Sequence, residues 1–378
     1  MGTQRRKLRV AIGPLVGAEG GLNQHIKKLI EYSGHGPSAI TPHPVFSLYP
    51  SRGRVKRHVH AALARVGFRR PDMYSLILRE LFLPRFDVVH LHSGPAWPAI
   101  YLMSRLRQVK YVYSVHQIYQ EEDCATETEW ARKKWFNELT LAACRRANVV
   151  ISIGAWQQTL LRQQDIESIY VPNGVDVEAC EASSGARFRR RYQIDDDFYL
   201  FPGDIREVKR PRLFIRLAQS MPDRSFVMMG DGVTTERLER TLQVKVPENV
   251  YCLGMLGHES ALDAMSACRV MVMTSKNDTC PTALLEAMAC RRPVVASNSG
   301  GTADIVTHGV DGLLFEQQNL DELRRAAEAA WDLPEIGQAA NQKVRRVFDW
   351  PVVSRQVDAV YEELAMGASR GEPRQRRL

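Results

Sequence analysis

Two successive series of short apolar runs, separated by helix-forming segments, leave this chain little choice of architecture. The first series reads as strands at residues 8–12, 87–91, 111–115, 149–153 and 169–171; the second begins near Tyr199 and continues at 225–229, 250–253, 270–274 and 294–296. Strands alternating with helices form parallel sheets covered on both faces. Between the series, VPNGVDVEACEASSGARFRRRYQIDDD carries turn residues and no helical period, which places a domain boundary between Val175 and Asp195. A length of 378 residues suits two domains rather than one core. The expected organisation is a first domain over 1–175, a linker over 176–195 and a second domain over 196–349. Near the end, FDWPVVSRQVDAVYEEL sets Val353, Val357, Val360, Tyr361 and Leu364 on one face of a helix over about 350–365. The basic tail 367–378 is expected to be disordered.

Composition narrows the classes of function. With 44% hydrophobic and 25% charged residues the chain is of ordinary globular type, and no run reaches the roughly 18–20 apolar residues that span a bilayer. The opening MGTQRRKLRVAIGP passes from charge into a short strand without a secretory apolar region, so a cytoplasmic chain is expected. Seven cysteines without CxxC spacing, Cys144, Cys252, Cys268 and Cys290 among them, suit reduced thiols rather than a disulfide or zinc framework. A net charge of +8 favours anionic partners without naming them. The basic residues are dispersed and no aromatic-basic recognition motif accompanies them, which argues against nucleic acid. Residues 52–70, RGRVKRHVHAALARVGFRR, would form a helix with Val55, Val59, Ala62, Leu63 and Val66 on one face. Such a helix either lies on an anionic membrane surface, making the chain peripheral to the inner face, or packs its basic-faced length on the first domain.

The most informative segment is 274–302, TSKNDTCPTALLEAMACRRPVVASNSGGT. It sets Asp278 and Glu286 at the two ends of a loop that turns into a helix. Thr279 is placed to cap that helix and Pro281 suits its first turn, so free amides point outward and make an anion site. Glu286 sits among Leu284, Leu285, Ala287 and Met288, where a bare carboxylate is costly and needs hydrogen-bond donors. Read alone, the segment is equally a core helix with one salt-bridged Glu.

In its acidic pair with seven residues between, its Ala-Met-Ala helix and its Pro-Val-Val-Ala strand, this segment resembles the signature of the GT4 glycosyltransferases of GT-B fold. The first acid is Asp278 where that family more often has Glu, and Cys280-Pro281 stands where Phe-Gly is common. The resemblance runs over nearly the whole chain. It implies an α/β fold of two Rossmann-like doubly wound domains facing across a cleft, with the last helix crossing back to the first domain. The activity it implies is retaining transfer of a sugar from a UDP-, GDP- or ADP-sugar to a hydroxyl of a glycan, lipid-linked or small-molecule acceptor. Other readings are a GT-B nucleotide-sugar epimerase or hydrolase, and a non-catalytic membrane adaptor.

The resemblance distributes roles. Glu286 would bind the ribose diol; Asp278 with the amides of Thr279, Cys280, Pro281-adjacent backbone and Thr282 would hold the sugar. Gly20 and Gly21, otherwise a plain turn before a helix, would touch the donor phosphates. His116 ends the strand YVYSVH and would close the sugar pocket; a hydrogen-bonded structural histidine is the other reading. In LFPGDIREVKRP, Gly203 opens the loop and Lys209 would hold the diphosphate and steady the charge on the leaving nucleotide. The family's Arg after the glycine is Asp204 here, so either Arg206 supplies the missing charge, or Asp204 binds a basic acceptor group or pairs with Arg206 or Arg210. The backbone of Leu253 to Leu256, Met255 included, would receive the base. His90 and His92 alternate on a strand and, with no third ligand in sight, read as strand-end residues. Asp195–Asp197 reads as a solvated turn rather than a metal motif. No metal and no cofactor are expected for turnover.

Overall fold

The computed structural model describes residues 7–13, 21–39, 86–92, 105–106, 108–124 and 126–367. The basic segment 52–70, Gly20 and the tail 368–378 lie outside the described residues. Two six-stranded parallel sheets organise the chain. The first contains β1 (Val10–Gly13), β2 (Ser38–Ala39), β3 (Val88–Leu91), β4 (Lys110–Val115), β5 (Val149–Ser152) and β6 (Ile169–Tyr170), in the spatial order β2-β1-β3-β4-β5-β6. The second contains β7 (Phe198–Pro202), β8 (Ser225–Met229), β9 (Val250–Cys252), β10 (Val270–Met273), β11 (Val294–Ser297) and β12 (Leu313–Phe315), ordered β12-β11-β10-β7-β8-β9.

Both sheets follow from side-chain alternation on strands buried on two faces. Along β7, Phe198 and Leu200 enter one core cluster while Tyr199 and Phe201 enter the other. Along β4, Tyr111, Tyr113 and Val115 face one cluster and Val112 the opposite one. Helices close these faces: Pro211–Ser220 and Leu320–Trp331 cover one side of the second sheet, and His258–Ala267 and Thr282–Ala289 the other.

The segment read as a structureless break holds two short helices, Val177–Glu181 and Gly185–Tyr192. Asp176 accepts from the Ala179 amide and Ser184 from the Arg187 amide, so side-chain caps start each helix, and Val177, Cys180 and Phe188 anchor them in the second core. Five and eight residues are too few to show a period. Arg189 then binds the carbonyls of Asp195 and Asp196 and the Asp197 carboxylate, which holds the exposed acidic turn in place. Strands β2 and β12 also escaped the sequence reading.

The final helix, Trp350–Ala365, packs on the first sheet. Val353, Val357, Val360, Tyr361 and Leu364 join Leu8, Val10, Ile12, Ile26 and Leu29 in one cluster. The chain therefore passes between the two sheets twice, and its two passages are bonded to each other: Val175 N donates to Phe348 O at 2.8 Å and Trp350 N to Val175 O at 3.1 Å. A side chain at Gly174 would strike the Trp350 ring, so only glycine lets the passages approach. Polar contacts bolt the final helix down: Asp358 accepts from Ser33 Oγ at 2.6 Å and Gly34 N at 2.8 Å, and Tyr361 reaches a buried histidine. His90 is fully buried, its Nδ1 2.6 Å from Tyr361 Oη and its Nε2 2.7 Å from Ser114 Oγ. Tyr361→Phe leaves a buried ring nitrogen unpaired and is expected to lower stability by about 1–3 kcal/mol in urea unfolding; an unchanged midpoint would show that the helix does not depend on this bond.

Candidate active site

In an open parallel sheet, ligands bind beyond the carboxyl ends of strands where the direction of winding reverses. In the second sheet that point lies between β7 and β10, which pair directly. The loops leaving these two strands carry most of the predicted residues.

The two loops are stitched together by backbone contacts. Thr274 Oγ1, at the end of β10, donates to the carbonyls of Lys209 at 2.8 Å and Arg210 at 3.0 Å, and Lys276 N donates to Val208 O at 2.7 Å. With its main chain fixed, Lys209 places Nζ 2.8 and 3.0 Å from the two carboxylate oxygens of Asp278. Lys209 and Asp278, assigned separate tasks from sequence, are thus one ion pair. Gly203 continues β7 by donating to Met229 O at 2.9 Å.

Arg206 forks onto the Asp204 carboxylate, with three contacts between 2.7 and 2.9 Å. Burial works to raise the Asp204 pKa, but the Arg206 contacts outweigh it and hold the carboxyl below its usual range. The Arg206 side chain remains 69% exposed, so the pair sits at the rim of the site.

The expected cap of the acidic helix is corrected. The helix spans Thr282–Ala289, Pro281 is its N-cap without a side-chain bond, and Thr279 Oγ1 is buried with no partner. What holds the 278–280 loop comes from elsewhere. Gly301 N donates to Asp278 O at 2.7 Å, and any side chain on Gly301 would overlap the Thr279 carbonyl. Asn173 Nδ2 of the first unit donates to Cys280 O at 3.0 Å. The Cys280 thiol is pushed up to about 12 by burial, which keeps it protonated.

Glu286 sits one turn into the helix. Burial alone pushes its carboxyl up to about 7. His258 Nδ1, at the start of the helix that follows the expected base-binding loop, stands 3.8 Å away, beyond hydrogen-bonding range. In that loop Leu253 packs on the core and Met255 is 71% exposed.

The first sheet winds in opposite directions from β1 and β3, and its contribution gathers there. Gly21 is the first residue of the helix Gly21–Tyr32 that follows β1. His116, expected to end the strand, follows β4 directly, and it is not alone. His92 Nδ1 lies 2.9 Å from His116 Nε2, and His25, from the helix after β1, packs edge-on against both rings. The reading of His92 as a simple strand-end residue without a third histidine nearby is therefore wrong. Burial depresses all four ring pKa values, to about 4 for His116 and about 3 for His90, so the rings are neutral near pH 7. The signal that could have found His25 is topological: it follows β1, and β1 and β3 flank the reversal point.

The lobes meet along the same loops. Lys276 Nζ donates to Glu122 O, Asn277 Nδ2 to Asp123 Oδ1 at 2.7 Å, and Trp156 N to Asp304 Oδ2 at 2.9 Å. A cavity of about 350 Å³ opens here, lined by Glu122, Asp123, Arg210, Arg212, Arg216 and Lys276; neither Asp278 nor Glu286 lines it.

Residues 17–179 match the family model described as Glycosyltransferase Family 4, and residues 186–347 that described as Glycosyl transferases group 1. The chain is a GT4-type glycosyltransferase of GT-B fold. It is 24% identical over 299 residues to alpha-D-kanosaminyltransferase of Streptomyces kanamyceticus, covering 74% of this chain and 78% of that one. Among solved structures, Anabaena HepE in complex with UDP superposes with a TM-score of 0.71 at 18% identity, covering 93% of this chain and 99% of its own. Sucrose-phosphate synthase of Thermosynechococcus elongatus gives 0.77 at 18% identity, covering 96% and 100%. Among the described residues of this glycosyltransferase, no helix is long and apolar enough to cross a membrane.

Glu286 offers a direct check on the site. Its folded pKa of about 7 exceeds the ordinary 4.5, so its contribution to stability is fully present below about 4.5 and is lost as pH rises through about 7. Glu286→Gln cannot titrate. Thermal melts of the empty protein should show the stability difference, wild type minus variant, falling across that window; a difference flat in pH would mean that the carboxyl is not buried.

Proposed function

We propose that this glycosyltransferase moves a sugar from a nucleotide-sugar donor, with retention, to a hydroxyl of a glycan, lipid-linked or small-molecule acceptor. The carrying observation is the Lys209–Asp278 pair at the reversal point of the second sheet, with Glu286 on the helix that follows. Support comes from the HepE complexes, which hold UDP, UDP with glucose, or UDP-glucose.

In this reading an ammonium with three donors gives two to Asp278 and keeps one for the donor diphosphate. As the bond to the sugar breaks, negative charge grows on the phosphate oxygen, and Lys209, already fixed through Thr274, stabilises it without rearranging. Arg206 at the rim adds charge only by leaving Asp204. Asp278 and the amides of the 279–282 segment bind sugar hydroxyls, and Leu253 to Met255 receive the base. Gly21, the first residue of its helix, approaches the phosphates. Glu286, ionised when two ribose hydroxyls replace the lost solvation, grips the diol. His116, a neutral ring near pH 7, exchanges a hydrogen bond with a sugar hydroxyl without introducing a charge.

Retention follows from attack on the face the nucleotide leaves, the departing phosphate oxygen taking the acceptor proton. The bond from the acceptor oxygen to the anomeric carbon forms as the bond to phosphate breaks. Lys209 and main-chain amides then take the place of a divalent ion, so turnover proceeds with chelator present.

The test is calorimetric titration with UDP-, GDP- and ADP-sugars, followed by transfer assays with the donor that binds. Lys209→Ala is expected to reduce kcat by roughly 10²–10³-fold, the scale seen when one preorganised donor to a developing oxyanion is removed. Near-normal turnover in that variant removes Lys209 from the leaving group, and no binding of any of the three donors overturns the reading.

A further inference from the structure

The three histidines around the reversal point of the first sheet form a cluster that the proposed transfer reaction does not use up. His25, His92 and His116 each offer one ring nitrogen, and these nitrogens all lie within 4.8 Å of one another. The ring centres are 4.8 Å apart for His25 and His116, 5.2 Å for His92 and His116, and 5.3 Å for His25 and His92. Three imidazoles held tetrahedrally at metal–nitrogen distances of about 2.0–2.1 Å have ring centres roughly 5 Å apart. The observed triangle is nearly equilateral and already has that size.

Hydrogen bonding leaves the cluster incomplete. His25 is 8% exposed and His92 3%, yet His25 Nδ1 and His92 Nε2 are buried without a partner. The rings are held from outside. His90 stacks on His92 with centres 4.1 Å apart while bonded to Tyr361 and Ser114, and the Trp350 ring lies edge-on to His25 at 5.2 Å. Outer contacts of this kind orient imidazole ligands. Neutral imidazoles select borderline metals such as zinc, cobalt and nickel over magnesium or calcium, which prefer oxygen.

We infer that His25, His92 and His116 form a binding site for a single divalent cation of the zinc class. One of the two nitrogens in the 2.9 Å His92–His116 contact carries a proton. On metal binding that proton moves to the other nitrogen of its own ring, so both rings remain neutral and both facing lone pairs become ligands. Three protein ligands leave one tetrahedral position for water. The ion ties the helix Gly21–Tyr32 to the ends of the paired strands β3 and β4. It differs from a catalytic metal in that the transfer reaction proposed above needs none.

The experiment uses the full chain stripped with chelator and titrated with Co²⁺. One equivalent should develop the visible absorption of a tetrahedral nitrogen-ligated Co²⁺ centre and raise the melting temperature, as any ligand specific to the folded state does. His25→Asn and His116→Asn should each weaken binding roughly tenfold or more, on the scale of changes in a metal's surroundings. His308→Asn, on an exposed turn, should bind as wild type does. If His25→Asn does not fold, as judged by its melt, the partly exposed His116 position carries the test. Octahedral spectra, no stoichiometric binding, or equal affinity in the histidine variants that fold overturns the inference. Titration of the same samples with UDP separates the two readings: nucleotide binding without Co²⁺ binding removes the cation site alone, and the reverse removes the donor site alone.

Discussion

The hydroxyl of Thr274 is the point on which the second half of the molecule turns. It caps the carbonyls of Lys209 and Arg210 across the reversal between β10 and β7. Without this contact and the Lys276 N to Val208 O bond beside it, the loop after β7 would be free to move relative to the loop after β10, and Lys209 and Asp278 would meet only through two flexible side chains. A surface ion pair of that kind contributes little. Fixed at both main chains it becomes a positioned pair of charges, the condition under which electrostatic stabilisation of a leaving group works. The residue after Lys209, Arg210, adopts φ of 50°, a conformation that costs a non-glycine residue energy and that the Thr274 contact to its carbonyl helps to hold.

Sequence made the strands legible because burial on both faces leaves apolar runs that few other structures need. The acidic segment was legible for a related reason: Glu286 inside a run of Leu, Ala and Met is chemically out of place unless something satisfies it, and the structure finds its carboxyl raised by burial alone. The parts that were not legible depend on contacts distant in sequence. The 278–280 loop resembles a capped helix start, but its shape is set by Gly301 and Asn173. No local pattern around Thr279 contains that information. The linker helices failed in the opposite way, since they are purely local but too short for periodicity to register.

The histidines show the same limit. His90 on β3 and His92 just beyond its end are two residues apart and so share one face of the sheet, with ring centres 4.1 Å apart; one joins the buried bolt to Tyr361, the other the cluster with His25 and His116. Spacing alone could not say which would find partners. Only the order of strands, with β1 and β4 on either side of β3, brings a helix residue and a strand-end residue to the same place.

The return of the last helix to the first sheet has a consequence for how the protein is made. Part of the cover of one face of that sheet, from Val353 to Leu364, comes from chain that follows the whole second sheet. A nascent chain can complete its second unit while the first still exposes Val10, Ile12 and Val88 to solvent. Translation thus delivers the amino-terminal half first and finishes it last, and a stop codon anywhere before Trp350 would release a protein whose early-made half is sticky and unsealed.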